Sequence, residues 1–168
     1  SYAPTAHRIA ESGHFVVIVK MPFNLAVFGV NKASDVIDSF PQISSWVVGG
    51  HSLGGSMAAQ FSYENPSKVK GLVLWASYPA SETDLSNNDF FVSTIYGSND
   101  GLIGFDQINN SLKLLPASTT QVEIVGGNHA QFGWYGEQEG DNPATITREQ
   151  QQKQIVNSTI QLLEKVNK

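Results

Sequence analysis

The 168-residue chain contains no cysteine. Disulfides, thiolate nucleophiles and cysteine-ligated metals are therefore excluded, and the redox compartment cannot be read. Charge is scarce as well. Ten Lys and Arg against fifteen Asp and Glu give a net charge of −5, and no basic residues form a run. Nucleic acids are met by clustered Lys and Arg, so no nucleic-acid partner is expected. Long hydrophobic runs are also lacking. The most apolar stretch, Phe15 to Val30, is broken by Lys20, Pro22 and Asn24 and is too short for a membrane span. Nothing at Ser1 resembles a signal peptide, and a start without Met reads as processing or shortening. The compartment stays unassigned.

What is present fits one domain, residues 1–168, around one hydrophobic core. Helix formers from Pro4 to Ser12 stop at Gly13, a C-cap glycine. Phe15–Val19 is a β-branched run expected to be a buried strand, and Pro22 to Val30 reads as a loop. A helix over 31–40 ends at Pro41, a strand follows at 46–48, and a helix over 53–65 stops at Pro66. Strands are expected at 69–75, 90–96 and 121–125, with a helix at 105–115 ending at Pro116. The last helix spans 148–166, with Ile155, Val156, Ile160, Leu163 and Val166 as its apolar stripe. Thr147 and Gln150 supply its capping box. Such alternation predicts a three-layer α/β/α sandwich with a mostly parallel sheet, whose ligands sit at the carboxyl ends of the strands.

Gly49, Gly50, Gly54 and Gly55 crowd into seven residues around Ser52. Gly50-His51-Ser52-Leu53-Gly54 matches G-x-S-x-G, placed where a strand gives way to a helix. In that setting the serine occupies a sharp, strained turn, and glycine is expected two positions before and after it. The helix N-terminus beyond offers unpaired N–H groups to a developing oxyanion. A phosphate-binding loop is the weaker reading, because no Gly-Lys-Ser/Thr follows.

A serine hydroxyl needs a base, and the base needs an acid to orient it. His7 and His14 fall in or beside the first helix, and the side chain of His51 should diverge from Ser52. His129 lies in Gly126-Gly-Asn-His-Ala-Gln131, just past the last strand, and is the candidate base. Asp100, just past the preceding strand, is the candidate acid. Asp106 suits a helix start, and Glu123 lies within a strand.

The order Ser52, Asp100, His129 resembles the α/β-hydrolase superfamily. The segments Met21–Phe28, Gly50–Gly55 and Gly126–Gly136 are similar to its small, lidless branch related to dienelactone hydrolases. True dienelactone hydrolases usually use cysteine as the nucleophile, and this chain has none, so the resemblance points here to a serine esterase instead. It implies an N-terminally truncated form of the fold, lacking three strands that normally precede Ser1; a missing segment or companion chain is expected, with direct pairing of the strands at 15–19 and 46–48 in a reduced sheet as the alternative. It also implies that the Leu53 N–H is one oxyanion donor and that the second lies outside this sequence.

Residues 76–89, between two expected strands, are too few for the cap domain commonly inserted there. The site is therefore expected to be open. Phe23, Leu25, Val27 and Phe28 are candidate pocket-lining residues, with packing against absent N-terminal parts as the alternative; His51 and Trp134 are further candidates. Glu137, Glu139 and Asp141 read as a solvated acidic loop and do not match a calcium loop. The expected function is hydrolysis of a small carboxylic ester through an acyl-enzyme, with no metal or organic cofactor. Acyl transfer or thioester hydrolysis by the same triad is one alternative, and a non-catalytic binding module on the same scaffold is another.

Overall fold

The computed structural model describes residues 1–168, apart from the side chain of Asn24. Four strands, β1 (Val47–His51), β2 (Gly71–Trp75), β3 (Phe91–Gly97) and β4 (Thr120–Ile124), form one sheet in the order β1-β2-β3-β4. Every pair is parallel. The helices are α1 (Ala3–Glu11), α2 (Lys32–Ser39), α3 (Leu53–Glu64), α4 (Phe105–Ser111) and α5 (Arg148–Val166). Helix α3 packs on β1 and β2, while α5 lies across β2, β3 and β4 with α1 against it. The result is the three-layer α/β/α sandwich that the alternation predicts.

The core divides at the sheet, because successive residues of a strand point to opposite faces. Leu72, Leu74 and Val92 pack with Ala59, Leu85, Phe90 and Leu115 on the α3 side. Val73, Ile95 and Ile124 pack with Ala76, Phe132, Ile155 and Leu162 on the α5 side. Strand β2 is apolar on both faces, as a strand inside a covered parallel sheet must be.

Two expectations are corrected. Phe15–Val19 is not a strand, and no backbone hydrogen bond among the described residues engages it. Its β-branched composition favours extended backbone, yet a strand also requires a neighbour to bond, and β1 pairs with β2 alone. The run is held instead through Phe15, whose ring lies 4.8 Å from Phe40 and 6.1 Å from Trp46. The stripe of α5 is rotated from the apolar one expected. The buried residues are Gln151, Gln152, Ile155, Val156, Thr159 and Leu162. Polar side chains enter this face because each finds a partner: Gln151 and Gln152 donate to the Asn128 and Gln131 carbonyls, and Thr159 donates to Ile155 O.

The register brings the carboxyl ends of the strands level. His51 pairs with Trp75, Trp75 with Ile95, and Gly97 with Ile124. Ser52 and the loops after β3 and β4 therefore leave the sheet along one edge.

Candidate active site

Ser52 extends β1 by one bond, its N–H donating to the Trp75 carbonyl at 3.0 Å. The chain then reverses into α3 with Ser52 at φ 54° and ψ −127°, a left-handed conformation rare for a residue with a side chain. The turn is held from within and from outside. Ser52 O accepts from Gly55 N at 2.9 Å and from Ser77 Oγ at 2.7 Å, and Ser56 Oγ donates to Tyr78 O.

The close approaches are specific. A Cβ at Gly50 would lie 2.4 Å from the Gly54 carbonyl carbon, and one at Gly55 would lie 2.5 Å from Ser77 Oγ. At Gly54 an added Cβ meets nothing within 4 Å. Glycine is thus required at 50 and 55. The expectation of a steric requirement at 54 is not met, because that position faces open space. Leu53 N–H, the first of α3, donates to no acceptor among the described residues.

The loop after β3 carries Asp100, and the loop after β4 carries His129. Asp100 Oδ2 lies 2.8 Å from His129 Nδ1, and both side chains are buried. A carboxylate only accepts, so Nδ1 carries a proton, and in the neutral ring Nε2 holds the lone pair. The other Asp100 oxygen accepts from Leu102 N at 2.9 Å and Ile103 N at 2.7 Å, which fixes the carboxylate plane. His129 Nε2 is buried without a hydrogen-bond partner among the described residues. Ser52 Oγ, at the same sheet edge, makes no hydrogen bond to it here. In unliganded sites such contacts are often longer and tighten when substrate binds.

Strand parity sends His51 to the α5 side. It is buried, its ring 4.4 Å from that of His129 and stacked on Phe132 at 5.5 Å. Tyr2 OH and His51 Nδ1 share a hydrogen bond of 2.9 Å. Burial, and then the neighbouring His129, push the His51 pKa down to about 3, so the ring stays neutral under ordinary conditions. Burial raises the Tyr2 hydroxyl, which stays protonated.

Phe23 is 86 % exposed, with φ 52°, and packs edge-on against Phe28. Leu25 is exposed, and the turn Ala26–Phe28 packs on α3. Val27 and Phe28 line a shallow concavity of about 410 Å³ with residues 29–32 and Asp35, and neither Ser52 nor His129 borders it. Trp134 is held between the guanidinium groups of Arg8 and Arg148, at 5.7 and 5.8 Å. Among the described residues, no three His, Asp or Glu side chains gather as a metal site requires.

Three contributors escape a sequence reading. Ser77 is an ordinary loop serine until the fold sets it under the Ser52 carbonyl. Gln151 looks like a surface residue of a helix, yet it accepts from Asn128 N and donates to Asn128 O. Asp141, expected in a solvated loop, instead collects backbone N–H groups from the loops that carry Asp100 and His129.

A parallel sheet with helices on both faces, a strained serine after its first strand and a buried Asp–His pair at the same edge define an α/β-hydrolase architecture. The profile of the Alpha/beta hydrolase family matches residues 1–153, and the chain belongs to that family. No sequence among the curated proteins matches the chain. Solved structures share the fold at low identity. A thermophilic esterase from Thermogutta terrifontis superimposes with a TM-score of 0.68 and 12 % identity, over 98 % of this chain and 86 % of that one. A monoacylglycerol lipase from Paleococcus ferrophilus gives 0.64 and 13 %, over 96 % and 89 %. A predicted CIB-like hydrolase from Thermoplasma acidophilum gives 0.58 and 15 %, covering 81 % of this chain. The chain spans 60 % of the length of that Thermoplasma protein.

Proposed function

We propose that the protein is a serine hydrolase that cleaves small carboxylic esters through an acyl-enzyme. The observation carrying this reading is the buried Asp100–His129 hydrogen bond, which in the neutral ring leaves the Nε2 lone pair at the edge where Ser52 turns from β1 into α3 with a positive φ. In the proposed reaction His129 Nε2 takes the Ser52 proton as Oγ attacks the ester carbonyl. The proton then passes to the departing alkoxide, and a water activated by the same nitrogen releases the acid. Asp100 keeps the imidazole in the tautomer that can do this and steadies its positive charge. Leu53 N–H donates to the oxyanion; losing one such donor typically costs about 10²–10³-fold in rate.

We place the protein in the small, lidless, dienelactone-hydrolase-like branch, as one domain over residues 1–168. Residues 76–90, between β2 and β3, contain no helix or strand, which fits a site without an inserted cap. The test is intact-mass analysis after treatment with a fluorophosphonate, with Ser52→Ala as control, followed by turnover of short acyl esters. One adduct, lost in the variant, with ester turnover is expected. An unlabelled wild-type protein overturns the reading and leaves a binding module on a hydrolase scaffold.

A further inference from the structure

We propose that Asp141 is a positioning residue for the reaction, locking the Asp100 turn to the His129 turn so that the pair keeps its alignment. The proposal rests on the serine-hydrolase reading above. Four backbone N–H groups converge on the Asp141 carboxylate. Oδ1 accepts from Gly101 at 2.9 Å, His129 at 3.3 Å and Asn142 at 2.9 Å, and Oδ2 accepts from Ala130 at 2.8 Å. Two ionised oxygens offer about four lone-pair sites, so the set is close to saturated. Hydrogen bonds to a charged acceptor are roughly twice as strong as neutral ones.

The identity of the donors separates this carboxylate from an ordinary loop staple. Gly101 directly follows the acid, and His129 is the base itself. The two loops are already joined at their bases, by Asn99 N donating to Gly127 O at 2.8 Å and Ser98 N to Ile124 O at 3.1 Å. Asp141 joins them again at the level of the reacting pair. The segment that carries it is fastened on both sides: Asn128 Nδ2 donates to Asn142 O, Asn99 Nδ2 to Pro143 O, and Thr145 N to Gly126 O.

Gly101 supports the same conclusion independently. A Cβ there would lie 2.6 Å from Asn142 N and 2.7 Å from Gly140 O, so the Asp100 turn and the Asp141 segment meet at backbone contact. Such closeness leaves little slack in the distance between Asp100 Oδ2 and His129 Nδ1. A misplacement of about 1 Å in a reacting group can cost on the order of 10²-fold.

The experiment compares the full chain with Asp141→Asn, Gly101→Ala and, as control, Glu139→Gln in the same exposed loop. An amide at 141 keeps one acceptor but turns an NH2 either toward Ala130 N–H or toward those of Gly101 and His129, so in both orientations the hold on the His129 turn is weakened and a donor faces a donor. Three quantities are read below the melting temperature: kcat and KM on a short acyl ester, and the low-field proton resonance of His129 Nδ1–H. Asp141→Asn is expected to lower kcat by about 10–100-fold with KM within about twofold, and to shift or abolish that resonance. Gly101→Ala should do the same by wedging the turns apart, and it stands in if Asp141→Asn fails to fold. Glu139→Gln should match the wild type.

A folded Asp141→Asn with an unchanged resonance and kcat overturns the proposal, as does a loss carried by KM alone. A merely structural carboxylate would lower the melting temperature and leave both readings intact. If the wild type turns over no ester, the serine-hydrolase reading fails by itself, and the resonance still decides whether Asp141 aligns the pair.

Discussion

Ser52 holds a left-handed backbone that costs of order 1–3 kcal/mol, and its neighbours over-determine it. The Trp75 carbonyl, the Ser77 hydroxyl and the missing side chains at 50 and 55 leave the turn no other path. The four glycines are therefore not equivalent. Gly54→Ala should fold and label with fluorophosphonate like the wild type, and be more stable by about 0.5–1 kcal/mol through helix propensity. Gly55→Ala should lose several kcal/mol or fail to fold, since its Cβ would displace Ser77. Denaturant melts of the two variants check this, and equal losses would show that the turn is not packed as described. Asp100 allows an equally local prediction. In Asp100→Asn the amide oxygen is wanted by Leu102 N and Ile103 N, which leaves the NH2 facing His129 Nδ1. Nδ1 must then accept, so the proton moves to Nε2 and the base is lost. Turnover near neutral pH should fall by about 10⁴-fold, read as kcat/KM in a protein of unchanged melting temperature.

At the scale of elements, α5 acts as both cover and clamp. Its capping box forms as the sequence predicts, with Gln150 N donating to Thr147 Oγ1 and Thr147 N to Gln150 Oε1. One turn on, Gln151 satisfies both backbone groups of Asn128, the residue before His129. Gln151→Leu keeps the volume and orphans a buried N–H and a buried C=O, at about 1–3 kcal/mol each. Thr147→Ala removes an exposed cap worth about 1 kcal/mol. Thermal melts should rank Gln151→Leu well below Thr147→Ala, and the reverse order would mean that the clamp is not formed. The cap was legible in sequence because it is local chemistry at fixed spacing; the clamp was not, because it joins residues 23 apart through a buried amide. The same distinction runs through the molecule. The strand–turn–helix around Ser52, the parallel alternation and the placement of Asp100 and His129 after successive strands follow from patterns within single segments. The fate of Phe15–Val19 depends on what lies beside it, and the burial of His51 depends on which face its strand presents. Neither is encoded at short range.

At the scale of the whole molecule, the sheet separates a layer beside α3, filled by Leu72, Leu74, Phe90 and Val92, from one beside α5 that also shelters the imidazoles of His51 and His129. Sheltering them makes global stability depend on pH. His51 is neutral when folded because burial and His129 hold its pKa at about 3, whereas the unfolded chain takes up a proton near the ordinary histidine value of about 6.5. A depressed folded pKa means that the unfolded state binds more protons between those limits. The stability is therefore fully present above about pH 6.5 and is lost as pH falls toward 3. The slope of this one group approaches about 1.4 kcal/mol per pH unit in the middle of the window. Other groups titrate there too, so the measurement is a difference: urea midpoints from pH 7.5 to 4 for wild type and His51→Asn. The Asn amide can occupy the Nδ1 position and keep a hydrogen bond to Tyr2 OH. The variant should start less stable at pH 7.5, because it fills less of the space against Phe132 and His129. It should then lose stability more slowly on acidification, so the two curves converge toward pH 4. Parallel curves would mean that His51 titrates alike in the folded and unfolded chains, and that the α5-side layer admits water around it.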